Sequence, residues 1–242
     1  MSNRTRPLLV LSLLACAALA QSKDFWEKKD YREWTDKECR KLLDDSPWTD
    51  RYIITQIFFD RVVTDTTDRE RQQNPKIEYK AQIRSALPIK RAIVRLSQIN
   101  AKYDQLTEEQ RKAFDQSAEK FLAGRNPDSI VMHVNYSATA QLDDRDLTRY
   151  WHSQNFDSLK NSTFLIATKG GRIQLSAFRQ GAAEAHEFEL VFPRQHNGQP
   201  VIAPGDKTLA LEFSHPAIRG PVARILIEFK IERMLIQRVP VY

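Results

Sequence analysis

Cysteine, glycine and histidine are scarce in this 242-residue sequence, and each scarcity removes a class of function. The two cysteines are Cys16 and Cys39. Cys16 lies in an apolar run near the amino end, and once that run is removed Cys39 has no partner for an intramolecular disulfide, so stability must come from packing. Seven glycines leave little room for loops that cradle phosphate, and none stands in such a pattern. No serine occupies a Gly-x-Ser-x-Gly nucleophile turn. The five histidines, His133, His152, His186, His196 and His215, show no ligand spacing. Glu184, His186, Glu187 and Glu189 form the densest mixed group, yet strand alternation puts His186 on the face opposite Glu187 and Glu189. The sequence therefore names no catalytic residue, cofactor or metal, and leans against an enzyme.

Long apolar runs are also missing beyond the first twenty residues. Arg4 and Arg6 precede the run Leu8 to Ala20, and Ala18-Leu19-Ala20 fits a small-residue cleavage site. A helix needs about twenty residues to span a bilayer, so the run is too short to be a transmembrane span. It reads as a signal peptide over 1–20 that directs residues 21–242 to the periplasm or the medium. Leu13-Leu14-Ala15-Cys16 is similar to the lipobox of bacterial lipoproteins, which makes Cys16 lipidation and a lipid anchor the competing fate. Leu14 departs from that pattern, and the apolar core from Leu8 to Ala15 is short for it.

The formal net charge is +6; Arg4 and Arg6 supply two of those charges, which leaves about +4 on the exported part. Both signs are mixed along the chain, as on an ordinary solvated surface. Lys90, Arg91 and Arg95 are the densest basic group and suit phosphate or anionic lipid, but acids intersperse the rest and no nucleic-acid partner is expected.

Thr35-Asp36-Lys37-Glu38 is a capping box that starts a helix over 35–45, ended by Ser46-Pro47. β-Branched and aromatic residues predict a strand over 51–64, and the alternation of Ile77, Tyr79, Ala81 and Ile83 predicts another over 77–84, the two pairing as a hairpin. Helices follow over 88–103 and 107–123, the second started by Thr107 to Gln110 and released at Gly124, as an antiparallel pair inserted between strands. Residues 129–242 read as β-rich, with Asp143 or Asp144 capping a short helix. A hairpin is expected around Lys169-Gly170-Gly171-Arg172, with strands from Phe164 to Thr168 and Ile173 to Phe178. His186, Phe188, Leu190 and Phe192 share one strand face, Leu209, Leu211 and Phe213 another, and Ile225, Ile227, Phe229 and Ile231 a third. The expected fold is α+β: an antiparallel sandwich-like or open-barrel domain with an amino-terminal helix and an inserted helical pair. One domain is more economical than two, the competing boundary lying near Gly124 to Asp128.

Trp34-Thr35-Asp36-Lys37-Glu38-Cys39 through Leu43, then Ser46-Pro47-Trp48, resembles the amino-terminal signature of uncharacterised exported proteins of acidobacteria, and Ser85-Ala86-Leu87-Pro88 resembles a second element of that group. The resemblance implies export and a shared fold, and implies no activity.

Trp26, Tyr31, Trp34 and Trp48 have two readings. As an exposed aromatic surface they would stack on sugars or lie at a membrane interface; as core anchors they would clamp the first helix to the sheet, which is the favoured reading. Cys39, on the apolar side of that helix, reads as a buried inert thiol. His133 reads as an ordinary hydrogen-bonding strand residue, and His196 and His215 as exposed loop residues. The expected function is a non-enzymatic binding or interaction module of the envelope or medium that meets an unknown protein or envelope polymer. The alternative is a hydrolase or metal-dependent enzyme whose site assembles from distant residues.

Overall fold

The structure is a computed structural model that describes residues 24–55, 76–124, 128–169, 171–182, 184–203, 205–218 and 223–242. The expected signal peptide with Cys16, the later part of the strand expected over 51–64, and Gly170 lie outside the described residues.

Helix α1 (Phe25–Lys28) leads into α2 (Asp36–Asp44), and the Thr35 capping box closes as expected: Glu38 N–H donates to Thr35 Oγ1 and Thr35 N–H donates to the Glu38 carboxylate. Pro47 stands in a tight turn, with Thr49 N–H bonded to the Ser46 carbonyl. Strand β1 (Thr49–Ile54) pairs antiparallel with β2 (Ile77–Ile83), Thr49 opposite Gln82. The inserted helices are α3 (Leu87–Asn100) and α4 (Glu108–Ala123). They run antiparallel, since Lys90 at the start of α3 donates to the Leu122 carbonyl at the end of α4. The Thr107–Gln110 capping box starts α4, and Gly124 ends it at φ +81°. α4 buries no residue completely, and Phe121 stays 39% exposed, so this helix is only partly covered.

Strand β3 (Ser129–Ala138) returns beside β2, and α5 (Gln141–Ser153) and α6 (Phe156–Leu159) precede β4 (Phe164–Ala167) and β5 (Gly171–Gln174). Neither Asp143 nor Asp144 caps α5. The helix starts earlier, after Ala140, and both acids fall in its first turn, where the helix dipole favours them. Asp144 also accepts from the Ala138 backbone N–H.

β4 and β5 form the expected hairpin, but the strand expected from Ile173 to Phe178 is two strands. β5 ends at Gln174 in one sheet and β6 (Ala177–Gln180) belongs to the other. The change takes place at Leu175, which turns into the core, and at Ser176, whose N–H donates to Val191. After β7 (Glu187–Pro193), the two-residue strands β8 (Gln195–His196) and β9 (Gln199–Pro200) make a small turn, followed by β10 (Thr208–His215) and β11 (Ala223–Lys230). A last small pair, β12 (Leu235–Ile236) and β13 (Val239–Pro240), ends the chain.

Two antiparallel sheets result, in the orders β1-β2-β3-β7-β6 and β11-β10-β4-β5. Among the described residues no ladder joins them, so the architecture is sandwich-like rather than a barrel. Period-two alternation places Tyr79, Val134 and Phe188 on the inner face of the first sheet and Leu211, Phe213 and Ile227 on that of the second. Trp151 of α5 locks the layers together: its ring stacks on Phe188 at 4.2 Å and meets Phe213 edge-on at 5.7 Å, while Tyr79 meets Phe213 at 5.1 Å. Such aromatic pairs add about 0.5–1.5 kcal/mol each beyond the area they bury.

The amino-terminal aromatics belong to the core. Trp34 is 1% exposed, Trp48 and Tyr31 are buried, and Trp26 is half-buried with its ring edge-on to Trp48. Trp48 Nε1–H donates to the Val241 carbonyl, which fastens the carboxyl-terminal segment to the start of β1. An exposed stacking surface made by Tyr31, Trp34 and Trp48 is thereby overturned, because their rings are already covered by protein.

Candidate functional site

The inner face of the five-stranded sheet is apolar; its outer face is polar. Direct cross-strand partners share a face, and the register places Thr49, Gln82, His133, Glu189 and Arg179 side by side across all five strands. One step along lies Asn135 opposite Glu187, and one step the other way lie Arg84 and Val131. A polar band thus crosses a sheet whose other side is hydrophobic.

His133 is buried in this band. Burial first, and then the charge of Arg84, hold its imidazole down at about 3. It is therefore neutral, and the 3.2 Å approach of its Nε2 to Glu187 Oε2 is a close contact rather than an ion pair. Asn135 donates to Glu187. The Nδ1 of His133 is buried without a hydrogen-bond partner.

Where the helical pair meets this band there is a cavity of about 670 Å³. The sheet supplies Arg84, Val131, Arg179 and Glu189; the helices supply Lys90, Lys120, Phe121 and the terminating Gly124; Arg194 follows β7. Five cations thus face one carboxylate, and Arg179 already pairs with it at 3.2 Å. Lys120 is exposed to solvent, and two of the other cations find company within the fold. Lys90 donates to the Leu122 carbonyl at 3.2 Å, and burial lowers its pKa, followed by the charge of Arg194. Arg194 donates to the Ser129 carbonyl and covers the Tyr242 ring at 4.6 Å.

Arg84 has neither a partner among the described residues nor full exposure. Among the described residues no carboxylate lies within 4.0 Å of it, its Nε is buried without a hydrogen-bond partner, and burial pulls its pKa down against the more distant pull of Glu189 and Glu187. A cation taken out of water without a counter-charge costs free energy that only an anion or exposure can return. Gly124 helps shape the space, since a Cβ added there would stand 2.8 Å from Lys90 Nζ.

A second, open groove of about 610 Å³ is lined by Asp146, Arg149, Tyr150, Ser153, His215 and Ile218 among others. His215 is 4% exposed and lies in β10, which corrects its reading as an exposed loop residue. Its Nδ1 is 2.9 Å from the Tyr79 hydroxyl, which lies 3.3 Å from Trp151 Nε1. An indole N–H can only donate, so the hydroxyl accepts from Trp151 and gives its own hydrogen to His215 Nδ1. That leaves the ring proton of the neutral imidazole on Nε2, and burial holds His215 near 4.

The other sequence candidates separate. Of the basic group, Lys90 enters the cavity, Arg91 covers Tyr31 at 5.8 Å, and Arg95 donates to the Trp34 carbonyl. His186 stacks on Tyr136, away from the band that holds Glu187 and Glu189. His196 is exposed as expected. Cys39 is fully covered, with its thiol pushed up to about 11 mainly by burial, as befits an inert residue. Among the described residues no group of three or more His, Cys, Asp or Glu could hold a metal ion, and no helix is long and apolar enough to cross a membrane.

No family model, curated protein or solved structure matches this chain.

Proposed function

We propose that the chain is an exported, non-enzymatic binding module of the cell envelope or medium, and that the cationic cavity takes an anionic group of its protein or polymer partner. The observation that carries this reading is Arg84, a half-buried cation whose Nε is sealed from solvent and which has no acid within 4.0 Å among the described residues, in a cavity whose described lining holds five cations and one carboxylate. A structural cation normally finds its acid within the fold; this one faces an opening. The export half of the reading rests on Arg4, Arg6 and the run Leu8 to Ala20.

A hydrolase is the second reading, favoured by Glu189 at the cavity wall with His133 directly opposite it in the ladder. Binding is preferred because His133 is buried, held neutral, set beside Glu187 and not part of the described cavity lining. The experiment for the binding half is a thermal melt of the full mature chain in inorganic phosphate, sulfate, acetate and chloride at equal ionic strength. Phosphate or sulfate should raise the melting midpoint of the wild type and leave that of Arg84→Gln unmoved. Equal midpoints in all four salts would refute the reading. For the export half, mass spectrometry of the mature amino terminus should find Gln21; a lipidated Cys16 would replace the free protein by an anchored one, and an uncleaved Met1 end in the native host would refute export.

A further inference from the structure

Resting on that anion-binding reading, we infer that the ligand of the cavity is a phosphate ester, with its phosphoryl group against Arg84 and an apolar organic body along Phe121 and Val131. Charge comes first. With Arg179 held by Glu189, several cations remain around one space. A monocarboxylate brings one negative charge and two acceptor oxygens, whereas a phosphoryl monoester brings a charge of about −1.5 to −2 and three strong acceptors. The guanidinium fork of Arg84 takes two oxygens in its plane, and the ammonium groups of Lys90 and Lys120 neutralise as point charges.

Hydroxyl donors line the same wall. Ser85 Oγ already accepts from Val131 N–H at 3.2 Å, so its hydrogen is left to donate, and Ser117 and Ser129 are close by. Size and polarity then exclude a bare ion. The cavity, about 670 Å³, falls in the range of about 300–1,000 Å³ that holds drug-sized ligands. It is not charged throughout: Phe121, 39% exposed, and Val131 give it an apolar wall directly beside the cations. An exposed phenylalanine next to a half-buried arginine with no acid within 4.0 Å among the described residues suits a ligand that is apolar at one end and dianionic at the other.

The test is isothermal titration of the full mature chain with phenyl phosphate, inorganic phosphate and benzoate, using the wild type, Arg84→Gln and Phe121→Ala, each checked for an intact melt. Phenyl phosphate should bind the wild type about tenfold or more tightly than either other probe. Arg84→Gln should weaken both phosphates about tenfold or more, and Phe121→Ala should bring phenyl phosphate down to the affinity of inorganic phosphate without changing the latter. Benzoate binding as tightly as phenyl phosphate, or Phe121→Ala without effect, overturns the phosphate-ester assignment while anion binding stands. If none of the three probes binds, both fall together. Release of phenol during the titration overturns the non-enzymatic reading and leaves the ligand class in place.

Discussion

Replacing Arg84 by methionine should make this protein more stable while removing its affinity for anions. The fold buries the Arg84 Nε without a partner and, among the described residues, places no carboxylate within 4.0 Å, so the native state carries a desolvation cost that the unfolded chain does not. Full burial of an unpaired ion costs several kcal/mol. Arg84 is half-buried and lines a cavity, so its share is put at about 1–2 kcal/mol, nearer the price of one unsatisfied polar group. Methionine keeps most of the aliphatic stem and carries no charge. In a chain of this size about 1 kcal/mol moves the melting midpoint by about 2–4 °C, so the variant should melt about 2–8 °C above the wild type by differential scanning calorimetry in low salt. Excess phosphate should close the gap from below, because a ligand at about a hundred times its Kd adds about 2.7 kcal/mol to the form that binds it. A variant that melts lower than the wild type, with phosphate stabilising both alike, would show that Arg84 is an ordinary structural cation.

Trp34→Ala should cost about 3–5 kcal/mol, the usual range for a buried large aromatic, read as a lower urea midpoint; an unchanged midpoint would contradict its burial. Tyr79→Phe strands Trp151 Nε1 and His215 Nδ1 and should cost about 1–3 kcal/mol. The ¹⁵N shifts of His215 should report an Nε2–H tautomer in the wild type and a mixture in the variant. Stability should fall as the pH drops below about 6.5. Burial holds His133 at about 3 and His215 at about 4, so in that window the unfolded chain binds protons that the folded one refuses. Each histidine contributes a slope of up to about 1.4 kcal/mol per pH unit, and His133→Asn or His215→Asn should flatten the acid limb of a melt series. Gly124→Ala should destabilise the end of α4, because φ there is +81° and the new methyl meets Lys90 Nζ.

Local rules were readable wherever one residue class and a fixed spacing decide the outcome. Both threonine capping boxes, the Gly124 helix end and the alternation of Ile77 to Ile83 depend on neighbours in the chain, and they stand where the sequence placed them. Long-range features were not readable. The break between β5 and β6 leaves no proline or glycine as a mark, because Leu175 and Ser176 are ordinary strand residues that change sheets for tertiary reasons. His215 follows the alternation of Leu209, Leu211 and Phe213 onto the buried face, a signal that its place near an expected turn hides. The cavity draws Arg84, Lys90, Lys120, Arg179 and Arg194 from distant stretches, and the basic group visible in the sequence, Lys90, Arg91 and Arg95, supplies only Lys90. The one available hint was that Arg84 continues the polar face of Lys80 and Gln82 on β2, which marks it as an outward cation but not as an unpaired one.

The two-residue step from β5 to β6 joins an edge of one sheet to an edge of the other. That border of the sandwich is a covalent hinge line, whereas at the far border β1 and β11 only lie against each other. If the layers ever part under force or denaturant, they must gape there first, with Trp48 and the carboxyl-terminal strap it holds acting as the latch.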